Sequence, residues 1–183
     1  MTEVKAGALN AVRFTRDGRY IITAGDFQSP ALWDRETGEE IIVYRGEGGS
    51  RGSFSVDVSR DGRWFLCPTW QKDDPRVEFW HIATGRRLRV LRGHKHQVDT
   101  AALSPDCRYA VSGGRDGEVK IWDIARGKCL KTLVTHSSMI QAVAYSPTGT
   151  HVAALTREGA DLMVLEIEWV EFKPTSLSDL WVL

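Results

Sequence analysis

The sequence predicts an all-β chain built as β-propeller blades, four of them, each a sheet of four short antiparallel strands. Three observations carry this expectation. A short phrase recurs four times: AVRFTRDG ending at Gly18, SVDVSRDG at Gly62, TAALSPDC at Cys107 and AVAYSPTG at Gly149. Its period of about 43 residues lies in the range of propeller blades. Each copy is followed by further short apolar runs, and no convincing long helical pattern interrupts them.

Within each phrase, apolar residues two apart mark a first strand: Val12 and Phe14, Val56 and Val58, Ala101 and Leu103, Val143 and Tyr145. A polar turn ends it. RYIITA, RWFLC, RYAVSG and HVAAL then supply a second strand. A third closes on Leu32–Trp33, Phe79–Trp80, Ile121–Trp122 or Val164–Leu165. In the first three repeats a turn at Thr37–Gly38, Thr84–Gly85 or Arg126–Gly127 leads into EEIIVY, RRLRVL or KCLKTL, a fourth strand. The expected blades span approximately 8–46, 52–93, 96–135 and 138–172, with a tail over 173–183. One such sheet has two apolar faces that it cannot bury alone, so like sheets stack around an axis.

The third repeat, GHKHQVDTAALSPDCRYAVSGGRDGEVKIWDI from Gly93 to Ile124, resembles a blade of the WD-repeat (WD40-type) family. Gly-His, Ser-Pro-Asp, Ser-Gly-Gly, Asp-Gly and Ile-Trp-Asp succeed one another in that family's order and spacing. The resemblance implies a buried structural relay of His94, Ser112, Asp116 and Trp122, with no catalytic role. It also implies partner binding on the narrow face formed by loops between blades and between second and third strands. The residues so placed are Arg51, Trp70, Lys95, His96, Arg115, His136 and Met139. The other repeats depart from the pattern. Repeat one keeps Thr23, Trp33 and Asp34 but has Phe27 at the turn aspartate. Repeat two has Cys67 for the serine, Glu47 for the histidine and His81 after Trp80. Repeat four keeps His136 but has Ala154, Glu158, Leu165 and Glu166 at the remaining positions.

Blades of this family usually fill a seventh or eighth of a ring, so four cover about half. Exposed apolar faces and open strand edges call for a cover. The expectation is self-association into a ring of eight, or further blades in a longer chain. The acidic and aromatic run EIEWVEFKP resembles endings of bacterial WD-repeat regions in multidomain signalling kinases and NTPase receptors. The plainer reading of residues 173–183 is a tail packed on the last blade.

Composition limits the function classes. The 183 residues carry 24 Lys plus Arg and 24 Asp plus Glu, so no overall field draws the chain to nucleic acid or an anionic membrane. The basic run Arg86 to His96 is the best local case for a nucleic-acid or acidic-protein partner, set against a charged outer strand that guards an edge. Cys67, Cys107 and Cys129 are odd in number and widely spaced, which points to a reducing, cytoplasmic setting. No segment has the length and apolarity of a signal peptide or a membrane span.

GEGGSRG at 46–52 lacks the Lys-Ser or Lys-Thr and the helix that a phosphate loop needs. His94 and His96 lack a third metal ligand at suitable local spacing. No nucleophile elbow occurs, and most acidic residues fall in repeat turns. The expectations are therefore no enzyme, no cofactor and no metal. The favoured function is a scaffold that binds proteins or peptides. The alternatives are an accessory propeller in an enzyme complex or ligand-sensing receptor, and nucleic-acid contact through Arg86 to His96.

Overall fold

A computed structural model describes residues 8–26, 28–46, 52–70, 73–134, 139–157 and 162–167. Among them every regular element is a strand, and all pairings are antiparallel between chain neighbours. Blade 1 comprises β1 (Leu9–Phe14), β2 (Tyr20–Gly25), β3 (Ala31–Asp34) and β4 (Glu40–Val43). Blade 2 comprises β5 (Asp57–Val58), β6 (Trp64–Thr69), β7 (Arg76–His81) and β8 (Arg87–Arg92). Blade 3 comprises β9 (Val98–Leu103), β10 (Tyr109–Gly114), β11 (Glu118–Asp123) and β12 (Lys128–Val134). In blade 4 the described strands are β13 (Ile140–Tyr145), β14 (His151–Thr156) and β15 (Leu162–Glu166).

The repeated phrase forms the same turn each time. A hydroxyl before the turn accepts the backbone N–H five residues on: Thr15 from Tyr20, Ser59 from Trp64, Ser104 from Tyr109 and Ser146 from His151, at 2.9 to 3.1 Å. In the first three repeats the turn aspartate accepts that hydroxyl's proton and a backbone N–H. The residue that reverses the chain adopts positive φ. Glycine supplies it at Gly18, Gly62 and Gly149, whereas Cys107 holds a φ of 58° in the third. Strand β5 is shorter than the sequence implied. Ser53 and Ser55 bond to each other locally there, which diverts backbone groups from the ladder, although Val56 stays buried.

Three apolar layers lie between consecutive blades. Ile22, Ala24, Leu32 and Tyr44 of blade 1 meet Val56, Phe65, Cys67 and Trp80 of blade 2. Leu66, Val77, Phe79 and Leu91 of blade 2 meet Ala101, Leu103 and Trp122 of blade 3. Val111, Val119 and Ile121 of blade 3 meet Val143, Val152 and Ala154 of blade 4. The side of a blade that carries the tryptophan position thus always faces the preceding blade. Close approach fixes residue size at these layers. A Cβ on Gly113 would come 2.3 Å from Ile140 Cγ2 of the next blade.

Blade 2 also buries charge beside its tryptophan. Glu78 is fully enclosed, and its Oε1 accepts from Arg76 Nε and Arg87 Nη1, each at 2.9 Å. Arg76 also pairs with Asp74. Arg87 lies over the Trp80 ring at 5.8 Å. Removing one partner of such a cluster strands the other charge in a low-dielectric layer. Glu78→Ala is expected to lower unfolding free energy by about 3 to 5 kcal/mol, measured by denaturant titration. Replacing Arg76 and Glu78 together by methionine is expected to cost less than the single change.

Candidate functional site

The relay residues come from four places in blade 3. His94 precedes β9, Ser112 sits on β10, Asp116 lies in the turn to β11, and Trp122 lies on β11. The structure brings all four together. Trp122 Nε1 donates to Ser112 Oγ at 2.8 Å, and Ser112 Oγ lies 2.7 Å from His94 Nε2. His94 Nδ1 lies 2.9 Å from Asp116 Oδ2. With the imidazole proton on Nδ1, every polar atom in the chain of bonds has a partner. Asp116 also accepts the backbone N–H of Lys95 and of Glu118. Gly114 leaves the space for this, because a Cβ there would come 2.8 Å from Asp116 Oδ1 and 2.9 Å from His94 Nδ1.

The degenerate repeats lose the relay in different ways. In blade 1, Trp33 Nε1 donates to Thr23 Oγ1 at 2.8 Å, with Phe27 outside the described residues. In blade 2 Cys67 replaces the hydroxyl, and Trp80 Nε1 is buried without an acceptor. In blade 4 both ends are gone: Ala154 and Leu165 stand at the serine and tryptophan positions.

Burial alone would raise the Asp116 carboxyl. The hydrogen bond from His94, with the two backbone donors, outweighs it and holds the group at about 2. Glu118 approaches the same His94–Asp116 pair, so three groups with metal-ligand atoms lie within 4.8 Å of one another. Sequence spacing did not reveal that third group. Its Oε1 accepts Lys95 Nζ at 2.9 Å and its Oε2 lies 2.7 Å from Lys120 Nζ. Two ammonium groups already neutralise the carboxylate, and His94 is engaged at both nitrogens. The cluster therefore reads as part of the relay's surroundings.

Of the loop residues, Arg51 and His136 lie outside the described residues. Lys95, His96 and Arg115 are exposed, while Trp70 and Met139 are half-buried. All five lie at the same end of their blades. In each of blades 2, 3 and 4 a residue at the end of the second strand bonds back to the segment entering the first: Trp70 N–H to Gly52, Arg115 to Gln97, Arg157 to Met139. Trp70 packs on Phe54 with ring centroids 5.9 Å apart. Three exposed cations on this rim are tethered by carboxylates more deeply set than themselves. They pair Lys95 with Glu118, Arg115 with Asp99 and Arg92 with Asp74. For Lys95 and Glu118 the side-chain exposures are 74% and 8%.

The basic run Arg86 to His96 does not form one surface. Arg87 turns to Glu78, Arg89 Nε donates to the Ala125 carbonyl of blade 3, and Arg92 and Lys95 join the rim. Alternation along β8 divides its cations between faces.

The model of the family described as "WD domain, G-beta repeat" matches residues 85–123 and 127–161. Among curated proteins, the chain is 28% identical over 106 residues to guanine nucleotide-binding protein subunit beta-5b of Danio rerio, covering 58% of this chain and 26% of that protein. It is 38% identical over 103 residues to eukaryotic translation initiation factor 3 subunit I of Brugia malayi, covering 56% and 28%. It is 25% identical over 142 residues to transcription initiation factor TFIID subunit 5 of Caenorhabditis elegans, covering 58% and 22%. The matched part is about a quarter of the length of each relative.

The relay makes two outcomes measurable. Cys67→Ser gives Trp80 Nε1 an acceptor and can donate to the Pro68 carbonyl, 3.5 Å from the present Sγ. It is expected to raise the thermal midpoint, by about 1 kcal/mol of stability; a lowered midpoint would contradict it. Asp116 ionises at about 2 when folded, against an ordinary 3.8. Its stabilisation is therefore complete above about pH 4 and lost as pH falls toward about 2. The stability gap between the wild type and Asp116→Asn should be widest above about pH 4 and narrow toward about pH 2, measured by urea unfolding.

Proposed function

This chain carries WD repeats, and on that premise we propose that it is a non-catalytic platform that binds other proteins through its loop rim. The observation that carries this reading is the arrangement of Lys95, Arg115 and Arg92, each exposed and each tethered by a more buried carboxylate. Such pairs hold the cation in a fixed place while turning it toward solvent. A partner segment with carboxylates then meets positioned charges with little side-chain ordering left to do. Trp70 beside Phe54 gives the same rim an aromatic anchor, a residue type enriched where binding energy concentrates.

Three relatives are named as subunits, of a guanine nucleotide-binding protein, of a translation initiation factor and of a transcription initiation factor. Assembly with other proteins is what we carry over from them. From the odd number and wide spacing of Cys67, Cys107 and Cys129 we also propose a reducing, cytoplasmic setting.

The test is a peptide array probed with the purified chain. Peptides rich in Asp and Glu, with a neighbouring apolar residue, are expected to be retained over basic ones. Lys95→Glu with Arg115→Glu is expected to lower retention at least about 10-fold, as is raising the salt to about 0.5 M. Equal retention of acidic and basic peptides, or indifference to the double substitution, would refute the rim as the docking face.

A further inference from the structure

We propose that the cavity between blades 1 and 2 is a second docking site, taking a partner segment with a bulky apolar side chain beside a lysine or arginine. The cavity holds about 590 Å³, inside the range of about 300 to 1,000 Å³ that binding pockets occupy. It lies beside Tyr20, where β2 begins, whereas the rim forms where second strands end.

Side-chain volume explains the space. At the next junction, between blades 2 and 3, Trp64 and Phe79 stack with ring centroids 5.7 Å apart, and Cys107 and Ile124 join them in the core. Arg89 Nε bridges that junction by donating to the Ala125 carbonyl at 3.1 Å. Between blades 1 and 2 a smaller or shorter residue stands at four of these places: Tyr20 for Trp64, Leu32 for Phe79, Gly62 for Cys107 and Ile42 for Arg89. Ile41 and Leu88 occupy the same bulge of β4 and β8. Leu88 packs on the core between blades 2 and 3, whereas Ile41 lines the cavity and stays 48% exposed. Ile82 and Ala83 of blade 2 complete the apolar lining.

Charge sets the kind of occupant. Asp17 and Asp61 line the cavity and are exposed, and Arg16 is the only guanidinium among the lining residues. Arg16 is already engaged, since its Nη1 donates to the Arg60 carbonyl at 2.7 Å. Each carboxylate accepts a hydroxyl and a backbone N–H through Oδ1, Asp17 from Thr15 and Arg19, Asp61 from Ser59 and Arg63. Neither forms an ion pair among the described residues, which leaves two negative groups beside an apolar recess. A partner's ammonium or guanidinium set against them, with the neighbouring apolar side chain in the recess, meets both surfaces at once. A partner carboxylate in that place would face like charge.

The test is fluorescence anisotropy of labelled octapeptides titrated with the purified chain. One set has Leu, Ile, Met, Phe or Trp at the centre with Lys and Arg on either side. A second set has Gln in place of the bases, and a third keeps the bases with Ala at the centre. Saturable binding is expected within the first set, and at least about 10-fold weaker binding from the other two. Leu32→Phe with Tyr20→Trp gives this junction the side chains of the next one and is expected to weaken binding at least about 10-fold. Circular dichroism checks that the filled variant keeps its β-sheet spectrum. If it does not, Ile41→Lys, a change at a half-exposed position, sets a cation beside the recess and is expected to weaken binding as much. No saturable binding in the first set, equal binding of the three sets, or indifference to the folded variant would overturn the proposal. The rim is read separately, because it is expected to retain acidic peptides and Tyr20, Leu32 and Ile41 lie away from it.

Discussion

The two-sidedness of a blade is the constraint on which everything else in this molecule depends. A four-stranded sheet with apolar side chains on both faces has no stable existence in water until both are covered. Blades 2 and 3 meet that condition inside the chain, and their tryptophans, Trp80 and Trp122, are almost wholly enclosed. The turns serve the same end. A Ser or Thr hydroxyl that satisfies the N–H across the reversal keeps the first two strands close enough to share a layer.

Covering an aromatic face creates a second problem, since an indole N–H carried into a layer must find an acceptor. The blades answer it differently. Blade 3 builds the full path from Trp122 to Asp116, and blade 1 stops at the Thr23 hydroxyl. Blade 4 has Leu165 and Ala154 at the donor and acceptor positions, a double replacement that leaves nothing unsatisfied there. Blade 2 keeps the donor and lacks the acceptor. Its Trp80 instead has a guanidinium over the ring and a buried carboxylate cluster beside it. Polar chemistry in these layers is therefore graded, while apolar packing recurs in all three.

This division explains why some features were legible in the sequence and others were not. The repeat, its turns and the relay of His94, Ser112, Asp116 and Trp122 are written in local sequence, because turn chemistry depends on residues a few positions apart. Cys67 at a hydroxyl position already pointed to the incomplete relay of blade 2. The Arg76 and Glu78 pair was not legible, since nothing local in RVEFW tells whether that strand face is covered. Only the register with Arg87 and the approach of Gly46 reveal that this face is covered. For the same reason the Arg86 to His96 run looked like one basic patch in sequence. In space its cations point to three different neighbours. The rim pairs are also long-range, with Lys95 and Glu118 separated by 23 positions.

The stack also separates two kinds of contact. The strand-end loops carry paired charges, whose attraction weakens as ions screen it. The outer sheet faces carry the exposed aliphatic and aromatic groups Val12, Phe14, Leu162 and Val164, whose contact with water is governed by apolar area and not by screening. Rim and face lie on different surfaces of the same rigid sheets, with no shared side chain among Lys95, Arg115, Phe14 and Val164. Substitutions on one are then additive with substitutions on the other. Close contacts such as that of Gly113 with Ile140 resist distortion of the layers, and so hold the rim loops at fixed separations.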